Sequence, residues 1–592
     1  MASLIKVSLI LHNKEIIPNI RFNKPNPKID FDGGMMKVQT ELEKISPDMA
    51  APDGKFVASI STYGLGGANG HIVLESFEGI EQGQATTVTT PPLHLFAVGT
   101  LTEGSLGRWQ TALTSHFESL TEPRALRSLS RELTRQARAS PYRSFAVGPA
   151  LTPGLKWSKT TFVAAKPELC LVFAGQGPQH IFMGRQLSEA FPVFLGAIKA
   201  NDEILVKKYG QPSFIERSGL FIPGKEANLA VNGVWAVPDV VFSIVFIQIA
   251  LTDLLKSLGI KYNYVVGHSI GEITMGYASG HYDRETAIGL AVGRAAMTRA
   301  QGNGGMVALG VGVQKAKLMI KKVLARAGAD GGLWIAGINS PKAVTVGGKH
   351  DLVDLMVEVA ADPADKVFAA KLRVTSAYHT PLMENQEKVF KDIVKTVLTA
   401  TPEPIAKVMS TVDGRWLERD LDVQYCWDNI RQPVLFGTAI NKIVQELGAE
   451  NVCFLEIAPH PVLKSYIEEI GGNPISLIRR PNPKVPAQNT GEHLQFLEGV
   501  GNLLMTGYAQ IDANRLASRS DGIVNFVKVP LPPYPYSKSP CWAEDGATKS
   551  LRLRAPRRPL AQDHFRINVD THPDLTGHVI MGAVLYPGAG YD

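Results

Sequence analysis

Tyr264-Val-Val-Gly-His-Ser-Ile-Gly-Glu272 runs an apolar strand into a serine with Gly267 two positions before it and Gly271 two after. This is the pattern of a nucleophile elbow. A strand that turns sharply into a helix leaves no room for side chains at those two places, and the bend lifts the serine hydroxyl clear of the sheet. The helix that follows directs free backbone N–H groups at the reacting centre, where they stabilise an oxyanion. In a chain with 55 glycines the spacing alone is also met by a tight turn with a structural serine. The apolar strand before Ser269 and the amphipathic run led by Glu272 favour the nucleophile.

A serine hydroxyl attacks only when a base takes its proton. His379, in Thr375-Ser-Ala-Tyr-His-Thr-Pro-Leu-Met383, sits in a polar turn between an apolar strand and a helix and is the candidate base. A second turn of small residues, Ala174-Gly-Gln-Gly-Pro178, follows the buried strand Leu169 to Phe173. It suits backbone N–H groups turned towards an oxyanion, with Gln176 and Ile270 as the donors, and reads equally as a plain strand-to-loop turn. Arg294 lies 25 residues after Ser269 on an apolar helix, Ala287 to Met297. A guanidinium among Leu290, Ala291, Val292 and Ala295 either carries its tip to the surface or pairs with an anion.

Positioning these groups needs a large scaffold. The chain has 592 residues, and at ~100–200 residues per domain that means three to five units. Apolar content of 45% and charged content of 20% are those of a soluble globular chain. With 61 basic and 55 acidic residues the positive excess is small, and the cluster Arg552, Arg554, Arg557 and Arg558 reads as a solvated linker rather than a nucleic-acid arm. Cys170, Cys426, Cys453 and Cys541 are far apart and lack metal-ligand spacing, so no metal is expected and a reduced, cytoplasmic setting is the simplest. No signal peptide is evident, and the apolar run Val240 to Thr252, interrupted by Gln248, is too short to span a membrane and reads as a buried helix.

Along the chain, an apolar helix (Leu4 to Leu11) and a proline-punctuated extended segment precede two strands around a glycine turn, Phe56 to Glu75. Residues 81–92 read as a linker, and Leu93 to about Ala165 as a small α/β module. A large α/β unit spans roughly Pro167 to Ile478, with Met306-Val-Ala-Leu and Val344-Thr-Val as strands of an inserted subdomain. Residues 479–547, with Leu531-Pro-Pro-Tyr-Pro-Tyr-Ser537, carry too many prolines for helix or central strand.

Taken together, Gly175-Gln-Gly-Pro-Gln179, Gly267-His-Ser-Ile-Gly-Glu272, Arg294, Asn339-Ser-Pro341, Tyr378-His379 and Glu456-Ile-Ala-Pro-His-Pro461 resemble, in order and spacing over about 320 residues, the malonyl-type acyltransferase domain of polyketide and fatty acid synthases. The resemblance implies an α/β-hydrolase-like core with an inserted ferredoxin-like subdomain. It implies that Ser269 is acylated, His379 is the base, Arg294 holds the free carboxylate of an extender unit and His268 contacts substrate. The backbone N–H groups of Gln176 and Ile270 would form the oxyanion hole.

The flanks are similar to neighbouring domains of such synthases. Residues 1–80 resemble the end of a thiolase-like ketosynthase through Pro25-Asn-Pro-Lys-Ile-Asp30 and Tyr63-Gly-Leu-Gly-Gly-Ala-Asn69. Leu531-Pro-Pro-Tyr-Pro-Tyr536 with Trp542 is similar to the segment after the acyltransferase, and His578, Gly582 and Pro587 resemble the start of a hot-dog dehydratase. The order resembles that of fungal highly reducing polyketide synthases. The implied division is 1–80 ketosynthase remnant, 81–166 linker module, 167–485 acyltransferase with an insert at about 305–367, 486–547 post-acyltransferase linker and 548–592 truncated dehydratase piece.

Departures from the family pattern shape the expectations. The ketosynthase-like piece starts after that family's active-site cysteine and histidines, and the dehydratase-like piece stops before its aspartate, with Gly577 in place of an acidic residue. Neither activity is expected, and His578 is expected to be silent. Val241-Phe242 replace a common Gln-Pro, and Ser376-Ala-Tyr-His379 matches neither usual motif for malonyl or methylmalonyl choice, so extender selectivity stays open. With no Asp-Ser-Leu carrier motif, the acceptor is a phosphopantetheine thiol on a carrier domain supplied in trans or on a missing part of the chain, and malonyl-CoA is the donor. No tightly bound cofactor, nucleic acid or membrane partner is expected, and a homodimer only with a complete ketosynthase. An inactive fragment and an α/β-hydrolase-type esterase are the rival readings.

Overall fold

Apolar runs without polar alternation, such as Leu169 to Phe173 and Val452 to Ile457, suit strands covered on both faces. The computed structural model describes residues 2–76, 93–518 and 526–536, apart from 53, 65–66, 165, 223–224, 226, 228, 232–233, 298–303, 364, 375, 399–402, 483–490 and 509, together with 579–580 and 583–584. The chain divides into two units, Met1–Thr89 and Thr90–Asp592. In the first, helix α1 (Ala2–Asn13) precedes an antiparallel pair, β1 (Val57–Tyr63) and β2 (Asn69–Glu75), in register from Val57 opposite Glu75 to Tyr63 opposite Asn69.

The second unit begins with β3 (His94–Thr100), α2 (Glu103–His116), α3 (Pro123–Ala137) and β4 (Tyr142–Gly148). Strands β3 and β4 pair antiparallel, and the two helices bury Leu106, Trp109, Leu129 and Leu133 against them. Glu122 starts α3 by accepting the N–H groups of Arg124 (2.9 Å) and Ala125 (2.5 Å), which otherwise lack partners in the first turn. The chain continues through β5 (Glu168–Phe173), α4 (Pro192–Lys207), α5 (Val237–Ser257), β6 (Tyr264–Gly267), α6 (Gly271–Ser279) and α7 (Arg284–Ala296). Helix α5 is long and apolar enough to cross a membrane by composition, but it packs between α4 and α7 with Ile244 to Ile247 fully buried.

Next come β7 (Gly305–Leu309), α8 (Val313–Ala327), β8 (Leu333–Ser340), β9 (Ala343–Gly348), α9 (His350–Ala361) and β10 (Ala369–Lys371). The four strands form an antiparallel sheet in the order β8-β9-β7-β10, and α8 and α9 share with it a core that includes Val307, Met319, Val346 and Met356. After it run α10 (Glu387–Val397), β11 (Lys407–Met409), α11 (Val423–Arg431), α12 (Phe436–Leu447), β12 (Val452–Ile457) and β13 (Pro474–Ser476). The central sheet is parallel throughout, in the order β11-β6-β5-β12-β13. In such sheets ligands bind beyond the carboxyl ends of the strands, and Ser269 follows the carboxyl end of β6.

The segment expected to lack helices contains two, α13 (Glu492–Met505) and α14 (Ala513–Ser518). The prolines lie at 481, 483 and 486 and again from 530 onwards, so residues 487–529 are proline-free and only the ends of the segment are barred from helix. Helix α13 packs on β3 and β4 with Phe496, Val500 and Leu504 fully buried. Residues 526–536 then strap across α2 and α3. Val527 N–H donates to Ser128 Oγ (2.9 Å), Tyr534 lies 5.8 Å from the Trp109 ring, and Leu101 N–H donates to Tyr534 Oη (3.2 Å). Leu504→Ala is therefore expected to lower stability by about 2–5 kcal/mol, the usual cost of emptying a packed leucine site, read as a lower urea midpoint.

Candidate active site

The bend after β6 is sterically forced. A Cβ on Gly267 would stand 2.6 Å from the backbone nitrogen of Glu272, and one on Gly271 only 2.2 Å from the Phe173 carbonyl oxygen. The His268 N–H donates to Phe173 O (2.8 Å), which ties the elbow to β5. Ser269 itself has φ 54°, in the left-handed region where side chains are strained.

His379 also sits at positive φ, 60°. The end of α11 holds it: its N–H donates to Ile430 O (2.9 Å), and its Nδ1 lies 3.1 Å from Gln432 O. A carbonyl only accepts, so Nδ1 carries the proton and Nε2 is left as acceptor. Nε2 lies 2.8 Å from Ser269 Oγ, the geometry in which the hydroxyl donates to the ring. Burial, with the Arg294 charge and His268 adding to it, pulls the imidazole down to about 3. The unfolded chain therefore takes up this proton at higher pH than the folded one. The stability that follows from keeping His379 neutral is whole above ~6.5 and is lost as pH falls towards 3.

Arg294 does not reach the surface. It is 3% exposed, donates from Nη2 to Ser269 Oγ (3.0 Å) and from Nη1 to Asn429 Oδ1 (2.7 Å), and burial lowers it to about 10. Its Nε is buried without a hydrogen-bond partner among the described residues. Ser269, His379 and Arg294, distant in the chain, thus meet through one hydroxyl oxygen.

The turn at 174–178 lies against the elbow, since a Cβ on Gly175 would approach His268 O to 2.8 Å and Ser269 Cβ to 3.2 Å. Among the described residues the N–H groups of Gln176 and Ile270 donate to nothing within the chain. The His268 ring is turned to Asn339, its Nε2 lying 2.9 Å from Oδ1, and Asn339 Nδ2 donates to Thr345 Oγ1 (3.2 Å). Three supporting residues escaped the sequence reading. Asn429 and Gln432 act through tertiary contacts that no local pattern signals. Gln248, noticed only as a break in an apolar helix, donates to Ala174 O (2.7 Å) and Ile457 O (3.0 Å) and accepts from Thr274 Oγ1 (2.9 Å). It pins the ends of β5 and β12 to α6, and a lone buried amide in such a helix is the signal that finds it.

Val241 and Phe242 are buried in the apolar core, where Phe242 packs near Phe214 (5.9 Å) and Phe246 (6.3 Å). His578, Gly582, Pro587, Trp542, Cys541, the Arg552 to Arg558 cluster and the 81–92 linker lie outside the described residues. Among the described residues no cluster of His, Cys, Asp and Glu has the makings of a metal site.

The family model of the acyl transferase domain matches residues 170–479, and that of the ketoacyl-synthetase C-terminal extension matches 25–147. A highly reducing polyketide synthase of Strobilurus tenacellus is 33% identical over 600 residues, covering 100% of this chain and 21% of the relative. The squalestatin hexaketide synthase of a Phoma species is 28% identical over 627 residues, covering 100% of this chain and 23% of its own length. The chain spans about a fifth to a quarter of the length of the curated relatives it matches. In fold it is similar to the acyl transferase domain of ZmaA (TM-score 0.64, 18% identity, 75% of this chain and 100% of that one). It is also similar to the acyltransferase domain from module 8 of the salinomycin polyketide synthase (TM-score 0.58, 21% identity, 71% and 97%).

Proposed function

Because this chain belongs to the acyl transferase domain family of polyketide synthases, we propose that it carries a malonyl-type group from CoA to the phosphopantetheine thiol of an acyl carrier domain by way of Ser269. The observation that carries this reading is the Ser269 hydroxyl held between His379 Nε2 (2.8 Å) and Arg294 Nη2 (3.0 Å). In the first half-reaction Ser269 Oγ gives its proton to His379 Nε2 and attacks the thioester carbonyl. The C–S bond breaks, and His379 returns the proton to the departing CoA sulfur. In the second half the carrier thiol gives its proton to His379 and its sulfur attacks the ester. The C–O bond breaks and the Ser269 oxygen takes the proton back. The developing oxyanion would lie against the N–H groups of Gln176 and Ile270.

Arg294 supplies the specificity. When a dicarboxylic thioester arrives, its free carboxylate takes the guanidinium away from Ser269 Oγ and pairs with it, the chemistry to which a planar fork of donors is suited. The same pairing offsets the positive charge that adds to burial in depressing His379, so the base strengthens somewhat when the correct substrate binds. The esterase reading requires an Asp or Glu behind the histidine, whereas the Nδ1 partner here is the Gln432 carbonyl. The domain division given from the sequence, with the acyltransferase at 167–485, belongs to this proposal.

Transfer of labelled malonate from CoA to a phosphopantetheinylated carrier domain tests the proposal, and a carrier left unlabelled by the wild type overturns it. Acetyl-CoA offers no carboxylate to Arg294, so with it His379 keeps its depressed value of about 3. The pH profile of acylation by acetyl-CoA is expected to lack an acid limb near the ordinary histidine value of ~6.5. Circular dichroism run alongside separates loss of rate from unfolding.

A further inference from the structure

The reaction leaves one buried acid next to the site unused. Glu272, in the first turn of α6, accepts from Thr411 N–H (3.0 Å) and Thr411 Oγ1 (2.6 Å) on Oε1. Its Oε2 is buried and has no hydrogen-bond partner among the described residues, as is true of Arg294 Nε. The Tyr425 hydroxyl gives its proton to Ser410 Oγ (2.8 Å) and stands close enough to the Glu272 carboxyl to favour its ionised form. Glu272 and Arg294 both line one small cavity, with Tyr282, Leu290, Phe390 and Cys426 among its walls. It offers about 20 Å³ to the centre of a water, where ~10–15 Å³ suffices for one molecule if polar partners are present. A guanidinium N–H and a carboxyl oxygen left bare inside a protein are costly, and a single water satisfies both.

We propose that Glu272 is a positioning residue for Arg294: one water held between Oε2 and Nε orients the guanidinium, and the carboxyl's ionisation sets how much of the arginine charge remains for the substrate carboxylate. This rests on Arg294 being the carboxylate clamp. Burial raises Glu272 to about 7, against the pull of Thr411, Tyr425 and Arg294. The other titratable groups around it stay fixed over the working range. Burial pushes Tyr282 and Tyr425 well above 10 and Cys426 up to about 12, Arg294 titrates only at about 10, and His379 at about 3 is neutral. Below 7 the neutral carboxyl leaves the arginine charge whole. Above 7 the carboxylate offsets it and competes with the substrate anion.

The ratio of kcat/KM for malonyl-CoA to that for acetyl-CoA is therefore expected to fall about three- to tenfold from pH 6 to pH 8, one unit of pKa being worth tenfold. Glu272→Gln keeps the shape and the acceptor for Thr411 but cannot ionise. Its ratio is expected to be flat with pH, at or above the wild-type value at pH 6. A flat wild-type ratio, or an unchanged slope in the variant, overturns the proposal. If the variant does not fold, the wild-type profile still decides. Arg294→Ala separates the two readings. If it leaves the ratio unchanged, the clamp itself is wrong and this proposal falls with it; if it collapses the ratio while the wild-type ratio is flat, only the role of Glu272 fails.

Discussion

Arg294→Ala is expected to cut malonyl transfer by two to four orders of magnitude more than acetyl transfer. The guanidinium is buried, no carboxylate among the described residues bonds to it, and both of its terminal nitrogens are engaged by neutral groups, Ser269 Oγ and Asn429 Oδ1. Such a charge is held at a cost that, in the proposed reaction, a substrate carboxylate would relieve. Removing one partner of a buried pair costs about 3–5 kcal/mol, and ~1.4 kcal/mol is one decade in rate. Acetyl-CoA loses little, because it presents only a methyl group to the space that alanine leaves. Measuring kcat/KM for both thioesters in wild type and variant checks this. A malonyl-to-acetyl ratio that does not move would show that Arg294 serves the fold or Ser269 rather than the substrate.

The second large effect is at the nucleophile. Ser269→Ala should abolish the covalent acyl-enzyme and lower transfer by about four to six orders of magnitude, the scale seen when a nucleophile acting in concert with its base is removed. The N–H groups of Gln176 and Ile270 and the Arg294 charge remain, so binding of malonyl-CoA is expected to persist while turnover vanishes. Incubation with labelled malonyl-CoA followed by peptide mapping should find the label on residues 264–272 of the wild type alone. Label on a cysteine, or label retained in the alanine variant, would falsify the serine mechanism. Cys170 and Cys453 are poor competitors, since burial pushes the Cys453 thiol up to about 12 and Cys170 higher still.

What could be read from the sequence follows from how local the physics is. The elbow is legible because its pattern is local: Gly267 is required by Glu272 just beyond the bend, and although Gly271 answers to the Phe173 carbonyl on the neighbouring strand, both glycines stand within two residues of Ser269. The pairing of Ser269 with His379 is legible only in part, because 110 residues separate them and a histidine in a polar turn has many uses. The spacing put Arg294 on a helix but left its direction open; burial against Asn429 decides it, and that contact belongs to the tertiary fold. Gln432 could not be found at all, since it contributes a carbonyl that every residue possesses. The misreading of 479–547 has a different origin. Prolines at its two ends dominate the composition of a segment whose middle has none, and there Phe496, Leu497, Val500 and Leu504 recur at helical spacing.

The strap at 526–536 and helix α13 place the chain's exit from the catalytic unit on the module through which it came in. That bears on how such units can be exchanged between synthases. A crossover that moved only residues 170–479 would carry Phe191 away from Phe496, whose rings lie 5.0 Å apart, and leave the moved core to find new neighbours in a foreign host. A crossover placed before residue 93 and after 536 cuts through none of these contacts and carries Trp109 together with Tyr534. The span that recombination can move intact is thus wider than the span that performs the chemistry, and its limits are set by the packing of two small flanking segments on each other.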